Sequence, residues 1–213
     1  GSLPTCGSRG GLVHWLPVPD PGTSVCGGFD GSDVDDATVI RLETREGFQF
    51  TPRYGPAQRP TIWLPAEWGG VTPRLEVHAA WAEIARTYSL RRVYCDPFKW
   101  ATELDEWDIE HGPETFIEWR TNRPRPMHEA LDRFTTDLTS GALTHDGCPI
   151  TALHMSNARK IAGMRDAYIL GKPSQHQKID AAVTSVLCHE AAADERAAGW
   201  PEIAASTYFR LPR

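Results

Sequence analysis

No stretch of the chain stays apolar for the roughly 18–20 residues that a membrane span needs, and the N-terminus lacks the basic-then-apolar layout of a signal peptide. Those absences predict a soluble, intracellular protein with no membrane partner. No two cysteines form a CxxC pair: Cys6, Cys26, Cys95, Cys148 and Cys188 are odd in number and scattered. That argues against both a disulfide framework and a structural zinc site. Cys26 and Cys95 sit in apolar segments and are expected to be small buried hydrophobes. There is no internal repeat and no low-complexity tract. Positive charge is not in excess either; the formal net charge of -6 gives no electrostatic sign of a polyanionic partner. Acids gathered at a metal site would, however, leave an enzyme that acts on a polyanion acidic overall.

The 213 residues, 40% of them hydrophobic, suffice for one sizeable domain around a single core. Gly1-Ser2 is expected to be the scar of a cleaved expression tag, residues 3–24 an irregular Gly- and Pro-rich lead-in, and residues 25–213 the folded domain. The pattern predicts strands over 25–30 and 37–42 and a third around Phe48 and Phe50, an antiparallel meander. Residues 51–70, with several Pro and two Trp, read as a packed loop. Apolar residues at helical spacing follow over 74–88, then a strand over 92–97, a helix over 100–109 and a strand over 115–119. Strand and helix alternate in this half, so its strands should be parallel. Helices are predicted over 127–138, ended by Gly141, and over 150–161. A hairpin or long turn is expected over 168–178 and an Ala-rich helix over 179–198, closed by Gly199-Trp200-Pro201.

Three acids stand at the ends of these elements: Asp30 and Asp96 after buried strands and Asp180 at the opening of the last helix. Open sheets present functional groups at the carboxyl ends of central strands. An ionised Asp after a run such as Val93-Tyr94-Cys95 is costly unless a cation or donors compensate it. Converging carboxylates are hard oxygen ligands suited to Mg2+ or Mn2+, and the chemistry implied is phosphodiester hydrolysis. Each acid alone also has an ordinary explanation: an Asp-Pro turn, an Asp-Gly hairpin pair, and an acid in a helix's first turn. Their order along the chain favours the joint reading.

The motifs Gly28-Phe29-Asp30-Gly31-Ser32 with Asp36-Ala37-Thr38, Tyr94-Cys95-Asp96-Pro97, Leu143-Thr144-His145-Asp146-Gly147, Asn157-Ala158 and Lys178-Ile179-Asp180-Ala181-Ala182 occur in that order. Together they resemble the RNase H-like (retroviral integrase-like) superfamily, and in particular the C-terminal nuclease domain of large terminase subunits of tailed phages. The resemblance implies an α/β fold, with a mixed central sheet in which an antiparallel three-strand meander is followed by parallel strands, flanked by helices. It further implies a two-metal endonuclease that cuts double-stranded viral DNA concatemers during genome packaging. Asp30, Asp96 and Asp180 would carry two divalent ions, Mg2+ or Mn2+, and Asp33 or Asp36 would be a supporting acid. The whole subunit of such a family joins the nuclease to a packaging ATPase, and works with a portal and a small terminase subunit in the cytoplasm of the infected bacterial host. This chain departs from that whole in having no GxxxxGK[ST] loop, so ATP hydrolysis is not expected of it.

Other residues carry alternatives. His145 would orient a phosphate or a water, or else bond the backbone of its turn. Lys172 and Lys178 would contact the DNA backbone or be solvated. The groups Arg120, Arg123, Arg125 and Arg159, Lys160, Arg165 are ordinary solvated faces or phosphate contacts. His189-Glu190 begins an HExxH motif, but Ala193 stands where the second His must be. Trp81 is expected in the core; Trp63 and Trp68 are open between core and base stacking. The competing readings are another RNase H-like enzyme, of junction-resolvase or transposase type, and a non-catalytic docking module for the portal or small subunit.

Overall fold

A computed structural model describes residues 18–162, 167–174 and 176–201. The expected tag scar, most of the lead-in, Cys6 and Arg165 lie outside the described residues. Strand β1 (Ser24–Asp30), β2 (Thr38–Thr44) and β3 (Phe48–Phe50) form the expected antiparallel meander. After it come the short strands β4 (Arg53–Tyr54), β5 (Arg59–Pro60) and β6 (Ile62–Trp63), then α1 (Arg74–Thr87), β7 (Ser89–Cys95), α2 (Ala101–His111) and β8 (Phe116–Glu118). The second half holds α3 (Pro124–Ser140), β9 (Thr144–His145), α4 (Pro149–Asn157), β10 (Arg159–Ala162), β11 (Tyr168–Gly171) and α5 (Asp180–Ala197).

The main sheet runs β8-β7-β1-β2-β3-β9, with β6 also paired to β2. β7 lies parallel to β1 and β8 parallel to β7, so this is the mixed α/β sheet that the motifs imply. No helix among the described residues is long and apolar enough to cross a membrane.

The two-residue period of a strand divides the core. Val25, Phe29, Ile40, Leu42, Val93 and Cys95 face α1 and α2, where Phe29 meets Trp81, Trp100 and Trp107 edge-on with ring centroids 5.1–6.3 Å apart. Cys26 and Tyr94 face the other way and pack on Leu187 and Ala191 of α5. Trp81 is therefore core, as expected. Trp63 is core as well, its indole N–H donating to the Tyr54 hydroxyl (2.9 Å), while Arg59 lies over the ring of Trp68. Trp63 is therefore not available for base stacking, and Trp68 is half-buried against the core.

Three expectations are corrected. The helix read over 150–161 stops at Asn157, because residues 159–162 pair instead with Tyr168–Gly171 as an antiparallel hairpin. The hairpin thus turns before residue 168 and not around Gly171 and Pro173. The segment 51–70, expected as loop, supplies β6 to the sheet edge of β2.

Helix α5 crosses the face of β1 at backbone distance. A Cβ on Gly28 would collide with the Thr184 carbonyl and lie 2.7 Å from the Cys188 nitrogen, so only glycine lets the helix seat. Gly28→Ala should therefore cost about 1–3 kcal/mol, read from the urea midpoint, as the helix shifts outward to admit one methyl group.

Candidate metal centre

The seating of α5 on Gly28 brings two of the acids together. Cys188 lies over Cys26 (Sγ to carbonyl, 3.8 Å) and Thr184 over Gly28, so the helix runs antiparallel to the strand. Asp30 is two residues further along β1, about 6.6 Å. Asp180 is four residues back along α5, about 6 Å. Both advances are in the same direction, which puts Asp30 and Asp180 at the same end of the β1–α5 contact. Asp30 shares a strand face with Cys26 and Gly28, the face that α5 covers. Asp96 follows β7, whose Cys95 pairs with Phe29, and its amide donates to the Phe29 carbonyl (3.1 Å).

The electrostatics report the same convergence. Burial, then the charges of Asp180, Asp96 and Asp36, push Asp30 well above the usual carboxylate range, and Lys172 opposes them. Burial and the charge of Asp36 push Asp180 up to about 6, against hydrogen bonds from the amides of Asp180 itself and Ala37. One Asp180 oxygen, Oδ2, is buried and has no hydrogen-bond partner. Asp36 sits under two ammonium groups, Lys172 Nζ at 2.7 Å and Lys178 Nζ at 2.9 Å. Burial alone would raise its pKa, but these two lysines outweigh it and hold Asp36 below the ordinary value. Asp96 is fixed by its own loop: Oδ1 accepts the Phe98 amide (3.0 Å), and Oδ2 accepts the Thr121 hydroxyl. Each carboxylate oxygen has a second lone pair to offer.

Of the predicted site residues, Asp30, Asp96, Asp180 and Asp36 are thus near enough for the charges of the other three to act on Asp30, and Lys172 and Lys178 join them through Asp36. Asp33 is not; it pairs with Arg74 and with Lys99 (3.3 Å). His145 is not either. Strand register puts it level with Cys26 and three strands away from β1, on the order of 20 Å from Asp30. Its Nδ1 accepts the Gly147 amide (3.1 Å), the turn bond of the plainer alternative. It lines a cavity of about 280 Å³ with Arg41, Phe134, Asp146, Thr151 and Met155, away from the acids. Arg120 pairs with Glu118 and Arg125 with Glu129, as solvated faces do.

A divalent cation fits this donor set: hard oxygens only, an unpartnered Asp180 oxygen, and mutual repulsion that a cation would relieve. Among the described residues no three His, Cys, Asp or Glu side chains stand close enough together to hold a metal ion as they are placed.

Sequence reasoning missed three features near or behind the cluster. His154 on α4 is buried, and its Nδ1 accepts the Ala181 amide (3.0 Å); burial, then Lys178, lower its pKa to about 4. Arg41 and Asp146 form a buried ion pair at 3.1 Å. Glu43, fully buried, takes His189 (3.0 Å) and Arg196 (3.0 Å), so the residue that began a false zinc motif is an internal ion-pair partner. A signal for the last two existed in Arg41 and Glu43, charges that alternate with the apolar Ile40 and Leu42 along a strand.

Against solved structures, the large terminase nuclease from thermophilic phage G20c superposes with a TM-score of 0.62 at 13% identity, covering 86% of this chain and 90% of that one. The fold is that of a large terminase nuclease. The same nuclease with bound magnesium matches at a TM-score of 0.59 and 15% identity over 86% of this chain and 89% of that one. The HK97 bacteriophage large terminase matches at 0.63 and 16%, covering 81% of this chain but 40% of that longer one. In sequence, the Gene 13 protein of Mycobacterium phage D29 is 28% identical over 187 residues, which is 82% of this chain. The chain spans about 30% of the length of that relative. No family model matches the chain. Within the terminase nuclease fold, the parallel pair β1–β7 and the start of α5 are the places where this chain puts its acids.

Proposed function

We propose that this chain is the nuclease part of a phage large terminase subunit, a divalent-metal-dependent endonuclease that cuts double-stranded viral DNA concatemers during genome packaging. The observation that supports this reading is the electrostatic coupling of Asp30 to Asp96 and Asp180 within a terminase nuclease fold. Asp30, Asp96 and Asp180 would hold Mg2+ or Mn2+, in keeping with the bound magnesium of the G20c nuclease. Two such ions, if held there, would supply an activated water and stabilise the leaving oxygen of a phosphodiester.

The protein's own groups do the rest. Burial of Asp30 and Asp180 makes the ionised acids avid for a cation. Thr121 and the Phe98 amide keep Asp96 from rotating away. Asp36 is a supporting acid through its lysines: it gathers Lys172 and Lys178 at the rim, where their charge meets a phosphate backbone. With phosphate contacts from Lys172 and Lys178 as the main attachment to DNA, cutting is largely independent of sequence and binding is salt-sensitive. In the full-length protein, the packaging ATPase domain, portal and small terminase subunit are the proposed partners, in the cytoplasm of an infected bacterium.

Plasmid DNA incubated with the protein and Mn2+ tests this. Wild type should nick and linearise it, and folded Asp180→Asn should be at least about 100-fold slower, since even residues that only support a metal ligand contribute about 10–100-fold. Selective cutting of four-way junctions would point to a resolvase instead. Equal inertness or equal activity of both proteins would remove the metal-centre assignment, and equal inertness would favour a docking role.

A further inference from the structure

We infer that His154 is a positioning residue that aims Asp180 into the acid cluster, a role that rests on the metal-centre reading above. A helix begins with amides that have no intrahelical partner, usually satisfied by an Ser, Thr, Asp or Asn cap. The residue at that place in α5 is Ile179, and no side-chain cap is made. The acceptor comes from another helix. His154 Nδ1 takes the Ala181 amide at 3.0 Å. One turn on, Asn157 Nδ2 donates to the Lys178 carbonyl at 3.0 Å. Helix α4 therefore grips the chain on both sides of Asp180, at residues 178 and 181. The first turn of α5 cannot rotate about its axis without breaking one of these bonds, and that rotation decides where the Asp180 carboxylate points. His154 is 3% exposed and Ala181 fully buried, so water cannot replace the bond.

The test compares three substitutions. His154→Asn keeps an acceptor oxygen where Nδ1 stands, His154→Leu keeps bulk without an acceptor, and His154→Gln puts its amide where Nε2 stands. In protein without metal, the 13Cγ resonance of Asp180 should move in the Leu and Gln variants and return towards wild type in Asn. Calorimetric Mn2+ affinity should weaken about 10-fold in Leu and Gln and stay near wild type in Asn, with kcat falling and KM for duplex DNA unchanged. If Leu does not fold, Gln against Asn carries the comparison. The inference is overturned if Asn behaves like Leu and Gln, or if the Asp180 resonance stays put while only the melting temperature drops. Absence of Mn2+ binding in wild type would instead refute the metal centre, and the resonance would still decide the role of His154.

Discussion

Asp30→Asn is expected to lose at least about 100-fold in Mn2+-dependent plasmid cutting and yet to melt no lower than wild type when metal is absent. The two effects share one cause. Without a cation, ionised Asp30 is held in a partly dry cleft beside Asp180, Asp96 and Asp36, which is why its pKa is driven up. An amide of the same shape removes that repulsion. A drop of several kcal/mol in metal-free Asp30→Asn would mark it as a structural acid and sink its assignment as a metal ligand.

The pH dependence follows with a definite sign. A raised folded pKa means that the folded protein binds protons more tightly than the unfolded chain. For Asp180 the contribution to metal-free stability is full below its ordinary 3.8 and is lost as pH rises through about 6. Saturating Mn2+ reverses the slope, because the ion needs the deprotonated acid and its affinity climbs through the same window. Differential scanning fluorimetry between pH 4 and 8, with and without Mn2+, should give melting curves whose pH trends oppose one another. Parallel trends would show that Asp180 does not bind the ion.

The second large effect lies away from the site. Asp146→Ala should destabilise the fold by about 3–5 kcal/mol, a large part of the roughly 5–15 kcal/mol that holds a domain together. Asp146 accepts Arg41 at 3.1 Å and the amides of Thr51 (2.7 Å) and Cys148 (3.1 Å), all out of water. Its removal leaves the Arg41 guanidinium buried without its counter-charge. Replacing both partners with apolar residues should cost less than the single change, since no uncompensated charge remains. Urea midpoints of the two variants measure the difference; equal losses would mean that packing, and not charge, sets the cost. Cleavage per folded molecule should be unchanged, because Asp146 belongs to the cavity wall and not to the acid cleft.

That contrast shows what the sequence can and cannot carry. Asp30 and Asp96 were legible because each ends a run of buried residues, and strand ends in an open sheet share a rim. Asp180 needed the resemblance, since an acid opening a helix is commonplace. What places it is the Gly28–Thr184 contact between segments more than 150 residues apart, which no local pattern encodes. The Thr-His-Asp-Gly motif was legible as a motif but not in its meaning: its Asp is a buried ion-pair partner, and its His faces a different cavity. His154 left no trace, because a histidine on a short helix becomes a cap only when α5 docks beside it. The reading of residues 150–161 as one helix failed because apolar spacing cannot register the pairing of 159–162 with a distant strand.

The dependence of the acid cluster on α5 also sets the order in which a ribosome can make a working site. Asp30 and Asp96 emerge early and can be brought side by side by β1 and β7. Asp180 and the helix that carries it are synthesised last among the described elements. A nascent chain that has not yet reached α5 therefore holds two acids and no third, so the cluster can close only after that helix is made.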